Sequence, residues 1–78
     1  MNKFKWHQLE FNYLYFREED GLLVGLCHPL GNQRDIFIAK VYKENADHLI
    51  GQYISMDFAR KAVERYIDER SRTLLEER

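Results

Sequence analysis

The stretch Leu49–Ile67, LIGQYISMDFARKAVERYI, changes its hydrophobic period part-way, and that change decides the fold class. Up to Ile54 it suits a short strand, with Gly51 placed where a β-bulge would need a residue without a side chain. From Ser55 onward the period lengthens to that of an amphipathic helix. Ala59, Ala62, Val63, Tyr66 and Ile67, flanked by Phe58, fall on one stripe, while Arg60, Lys61, Glu64, Arg65, Asp68 and Glu69 point away. Ser55 supplies an N-cap hydroxyl, Asp57 suits the positive end of the helix dipole, and Asp57–Lys61 and Arg65–Glu69 are opposite charges four apart. The spacing predicts a helix over 56–70 or longer. Leu74 and Leu75 form a second small apolar patch in the tail, which either extends the helix or frays.

Upstream, the punctuation is that of strands. WHQLEFNYLYFR, residues 6–17, alternates as one long strand, with Leu9, Phe11, Tyr13 and Tyr15 on one side and Trp6, Glu10, Asn12 and Leu14 on the other. Glu18-Glu19-Asp20-Gly21 follows, and Asp-Gly between apolar runs is a hairpin signal because glycine accepts the positive φ of the turn. Leu22–His28 forms the next strand, closed by Pro29-Leu30-Gly31-Asn32. Asp35–Lys43 is apolar at nearly every position up to Lys40, as a central strand would be, and residues 43–48 form a polar connection. Short connections force antiparallel neighbours. The expected architecture is therefore α+β: an antiparallel β-meander of three to four strands over about 6–54, packed on one C-terminal amphipathic helix, in a single domain spanning 1–78.

Seventy-eight residues leave room for one core, and a chain of this size sits close to the limit of what burial can stabilise. Self-association is one remedy. The usual staples are absent: Cys27 is the sole cysteine, and it leaves a strand on the opposite side from His28, so Cys27, His7, His28 and His48 lack the geometry of a zinc site. No metal or cofactor is expected. A lone cysteine fits a reducing, cytoplasmic location, and the longest strongly apolar run, Gly21–Cys27, is too short to cross a bilayer.

Net charge is −1, with six Lys/Arg against seven Asp/Glu in residues 1–54 and six against six in 55–78, so no basic half exists. Phosphate-binding glycine motifs are missing, and neither Cys27 nor Ser55 has a base at a telling spacing. The expectation is a non-enzymatic module.

Gly51-x-Tyr53-x-Ser55-x-x-x-Ala59-Arg60-x-Ala62 resembles the end of small three-strand-plus-helix DNA-binding domains of the AP2 and integrase-arm type, in which a last strand feeds an amphipathic helix. The resemblance covers about a dozen residues. It implies a nucleic-acid-binding sheet, for which Arg17, Arg34, Lys40, Tyr42 and Lys43, with Tyr13, Tyr15 and Phe37 as stacking platforms, are the candidates here. The tyrosine-arginine-glycine run of AP2 strands is absent, and no binding residue is carried over from that family.

One helix covers only two or three strands, and eleven aromatic residues exceed what that contact buries. The function expected first is thus protein interaction, with a partner or a second copy meeting an aromatic sheet surface. Trp6, Phe11, Tyr13 and Tyr15 are the leading anchors, with Leu74 and Leu75 as a second contact.

Overall fold

The computed structural model describes residues 3–43 and 46–76, without the side chains of 33, 34 and 71–76. Five strands, β1 (Phe4–Leu9), β2 (Asn12–Arg17), β3 (Leu22–Leu30), β4 (Gln33–Lys43) and β5 (Ala46–Tyr53), precede one helix, α1 (Met56–Glu76). The strands form a single antiparallel sheet in chain order. The α+β meander with a C-terminal helix is as expected, but the sheet has five strands instead of three to four.

The extra strand arises where residues 6–17 were expected to run straight. Glu10 takes φ 57° and the chain reverses through Glu10-Phe11, pairing Leu9 with Asn12 and Trp6 with Tyr15. Positive φ at the first of two loop residues alone is the sign pattern of a type II′ turn, a position glycine usually fills. The reversal re-sorts the side chains. Phe4, Trp6 and Gln8 now share a face with Tyr13, Tyr15 and Arg17, while Lys5, His7 and Leu9 share the other with Asn12, Leu14 and Phe16.

The next turn follows the sequence closely. Gly21 takes φ 69° and its amide donates to the Arg17 carbonyl at 2.8 Å. Asp20 accepts from the Leu22 amide at 3.2 Å and from the Arg17 guanidinium at 3.0 and 2.6 Å. Pro29, expected to end β3, is instead paired with Phe37 just before the ladder becomes irregular, and Gly31, at φ 54°, lies in the turn to β4. Register shifts also fall at Tyr15/Phe16, which leaves Val24 as the added residue of β3, and at Ala39/Lys40, which leaves Ile50 as that of β5. Each added residue precedes a glycine, Gly25 or Gly51, so the bulge anticipated at Gly51 is present.

Gly25 matters because α1 rests over it. A Cβ on Gly25 would stand 2.5 Å from Val63 Cγ1. With Cys27, Ala39, Ala59 and Val63, all with no exposed surface, Gly25 forms a layer of small groups that lets helix and sheet backbones approach. Val24, Val41 and Tyr15 complete the core, and Phe4, Trp6, Tyr13, Phe37, Ile50, Tyr53, Met56, Tyr66 and Ile67 wall it. Ser55 caps the helix as its spacing predicts, its Oγ accepting from the Phe58 amide at 3.1 Å.

Seven of the eleven aromatic residues are thereby placed on the helix side of the sheet or on α1 against it. Trp6 stacks on Tyr15 with ring centroids 4.4 Å apart, and its indole Nε1 donates to Glu64 at 2.7 Å, tying β1 to α1. Arg60 lies over the Tyr13 ring at 5.0 Å and over Trp6 at 6.0 Å. Its buried Nε has no hydrogen-bond acceptor, and the two ring faces supply partial compensation.

Candidate functional site

Helix α1 contacts β3, β4 and β5 on one face of the sheet. The strand register then dictates what stands on the other. Leu14 and Phe16 from β2, Leu23, Leu26 and His28 from β3, Ile36, Ile38, Lys40 and Tyr42 from β4, and Asp47, Leu49 and Gln52 from β5 all project there. Among the described residues no element packs over them.

This open face is mainly aliphatic. Ile38 at its centre is 5 % exposed yet stands apart from the cluster under the helix, screened by the side chains around it. Leu14, Phe16, Leu23, Leu26, Ile36 and Tyr42 are half-buried, and Leu49 is 61 % exposed. Polar groups on the face are largely matched. Lys40 Nζ is 3.6 Å from Asp47 Oδ2 across the β4–β5 ladder, and His28 Nδ1 is 2.8 Å from the Pro29 carbonyl. At one end, Lys5, His7, Phe16, Arg17, Glu18 and Gly21 line a hollow of about 480 Å³. Five strands at about 4.8 Å spacing, over ladders of about six residues at 3.3 Å, give this face roughly 500 Å² in projection. Side-chain relief brings that towards the roughly 600 Å² per partner at the lower end of specific interfaces.

The residues singled out in the sequence are dispersed over the molecule. Trp6, Tyr13 and Tyr15 pack on the helix side, where Tyr15 is only 9 % exposed. Burial, together with the charges of Glu64 and Asp68, raises the Tyr15 hydroxyl pKa above the usual tyrosine value. Phe11 stands at the β1–β2 turn, 67 % exposed. The side chains of Leu74, Leu75 and Arg34 lie outside the described residues. Arg17 projects to the helix side, where Asp20 holds it; Lys40 and Tyr42 share the open face; Lys43 points to the helix side at the end of β4. The basic candidates therefore do not converge on one surface, and Tyr13 and Tyr15 offer no stacking platform on the open face.

Leu14, Leu23, Leu26, Ile36 and Leu49 were not singled out from the sequence as site residues. Their signal was there, in strands apolar at consecutive positions. A strand that pairs on both sides and is apolar on both faces needs two covers, and one helix provides only one.

Cys27 has no exposed surface, and burial pushes its thiol up to about 12, with Glu64 adding to and Arg60 opposing the effect. A thiol so placed is a core residue and not an activated nucleophile. Among the described residues, no three His, Cys, Asp or Glu side chains gather into a metal-holding group, and no helix is long and apolar enough to cross a membrane. Compared with protein-family models, curated proteins and solved structures, the chain matches none.

Proposed function

We propose that this protein is a non-enzymatic, self-associating interaction module whose open sheet face packs against the same face of a second copy. The observation that carries the reading is the apolar face of Leu14, Phe16, Leu23, Leu26, Ile36 and Leu49, which lies opposite α1 and has no described element of the chain above it. Contiguous apolar surface on this scale marks an interaction site, and a chain of 78 residues gains from doubling its core.

Three features favour a second copy over an unlike partner. At the middle of the β4–β5 ladder Lys40 and Asp47 offset one another, so this part of the face presents no unmatched charge to a second copy. Two twisted sheets pack face to face about 10 Å apart with interdigitating side chains, a geometry in which one patch complements itself about a two-fold axis. The size of the face also approaches the lower bound for a stable pair. A cytoplasmic setting belongs to the same proposal, since Cys27 is a buried free thiol and the dimer needs no disulfide.

The test is sedimentation equilibrium of the wild-type chain beside Phe16→Glu and Leu26→Asp, with Leu22→Asp as control, because Leu22 pairs with Arg17 and projects to the helix side. Wild type and Leu22→Asp should sediment as dimers. Phe16→Glu and Leu26→Asp should sediment as monomers that keep the helical circular dichroism. A wild-type chain that stays monomeric over a roughly hundredfold concentration range, or open-face variants that dimerise as wild type does, would overturn the proposal.

A further inference from the structure

We propose that the groove between α1 and the outer edge of β5 accepts an extended peptide segment, added to the sheet as a sixth strand, whose every second residue faces α1 and is apolar save for one Asp or Glu. Sheet order places β5 at an edge, and among the described residues no strand pairs with its outer side. Its outward N–H and C=O groups are therefore a template for another strand. Directly over that edge, Ile50 and Tyr53 of β5 and Phe58, Ala62 and Tyr66 of α1 line a groove of about 480 Å³, within the range of sites that hold specific ligands.

The helix side of the groove is a continuous stripe. Phe58, Lys61, Ala62, Arg65, Tyr66 and Glu69 recur at helical spacing, and the eleven steps from Phe58 to Glu69 run about 16 Å, the length of roughly five extended residues. A strand laid along β5 sends every second side chain to the helix side of the sheet. Those side chains would fall between Ile50, Tyr53, Phe58, Ala62 and Tyr66. Phe58 is 56 % exposed and Ile54, just beyond β5, is 80 % exposed, so the apolar surface continues past the end of the groove.

Charge selects the occupant. Lys61 and Arg65, both exposed, stand four residues apart on the rim, a like-charge spacing that disfavours the helix until an anion lies between them. Arg65 is shared with Glu69 at 3.5 Å, in a pair too exposed to neutralise it, and Lys61 makes no described ion pair. An Asp or Glu on the helix-facing side of the incoming strand meets both cations. The site is separate from the open face, so the groove's test is independent of dimerisation.

The experiment pans a phage-displayed random dodecapeptide library against the full-length chain and titrates labelled enriched peptides by fluorescence polarisation. The expected peptides carry apolar residues at every second position, with one Asp or Glu within that same set. Their affinity should fall about tenfold or more in Lys61→Glu/Arg65→Glu, and likewise when one peptide amide is N-methylated, since that removes a ladder donor. Phe16→Glu should bind them as wild type does. No enrichment over an unrelated control protein, or affinity unchanged by the charge reversal or by every single N-methylation, would overturn the proposal.

Discussion

At the scale of single residues, two backbone positions carry more of the fold than their side chains suggest. Gly25 lies beneath α1, with Val63 Cγ1 2.5 Å from where a Cβ would stand. Gly25→Ala is expected to destabilise the chain by about 1–3 kcal/mol, as overpacking does, read from urea unfolding. Combined with Val63→Ala it should cost less than the sum of the two changes, because the smaller side chain removes the clash. Glu10 is the reverse case. It holds φ 57° in a turn, a conformation that costs an L-residue about 1–2 kcal/mol, whereas glycine there forfeits only about 0.5–1 kcal/mol of chain entropy. Glu10→Gly should therefore stabilise the chain by about 0.5–1 kcal/mol, and an unchanged or lower urea midpoint would refute that account.

Among the elements, what could be foreseen from the sequence divides along physical lines. The Ser55 cap, the Asp-Gly turn and the bulge at Gly51 were legible because each depends on local backbone chemistry. The β1–β2 reversal was not, since a glutamate fills the place where glycine would have announced it and the alternation on either side reads as continuous. The start of β5 was missed for another reason: Ala46, Asp47 and His48 are exposed on an edge strand, and such residues look like a loop. The β2–β3 turn also carries a pH signature. Hydrogen bonds from the Arg17 guanidinium, the larger cause, and from the Leu22 amide hold the Asp20 carboxyl at about 2, below its usual value. A carboxyl pKa depressed by folding contributes stability that is present above about pH 4 and is lost as pH falls through about 2. Carboxyl-carbon NMR should show Asp20 titrating near pH 2 in the folded chain, and an Arg17→Gln variant should return it towards the ordinary aspartate range. A midpoint near 4 in the wild-type chain would show that the ion pair does not form in solution.

For the whole molecule, the aromatic surplus that pointed to an interface is mostly spent inside. Trp6, Tyr13 and Tyr15 were readable as important, but their face was not, because side assignment along residues 6–17 flips at a turn that no glycine marks. Tyr15 and Trp6 stack under Arg60 and Glu64, and the open face is built mainly from leucine and isoleucine with Phe16 and Tyr42. On the dimer proposal, α1 seals one face and a second copy seals the other. An isotope-filtered NOE experiment on a mixture of labelled and unlabelled chains tests it most directly. Intermolecular contacts are expected among Leu14, Phe16, Leu23, Leu26, Ile36 and Leu49. The absence of intermolecular contacts, or contacts confined to α1 and the helix side of the sheet, would rule the face-to-face dimer out.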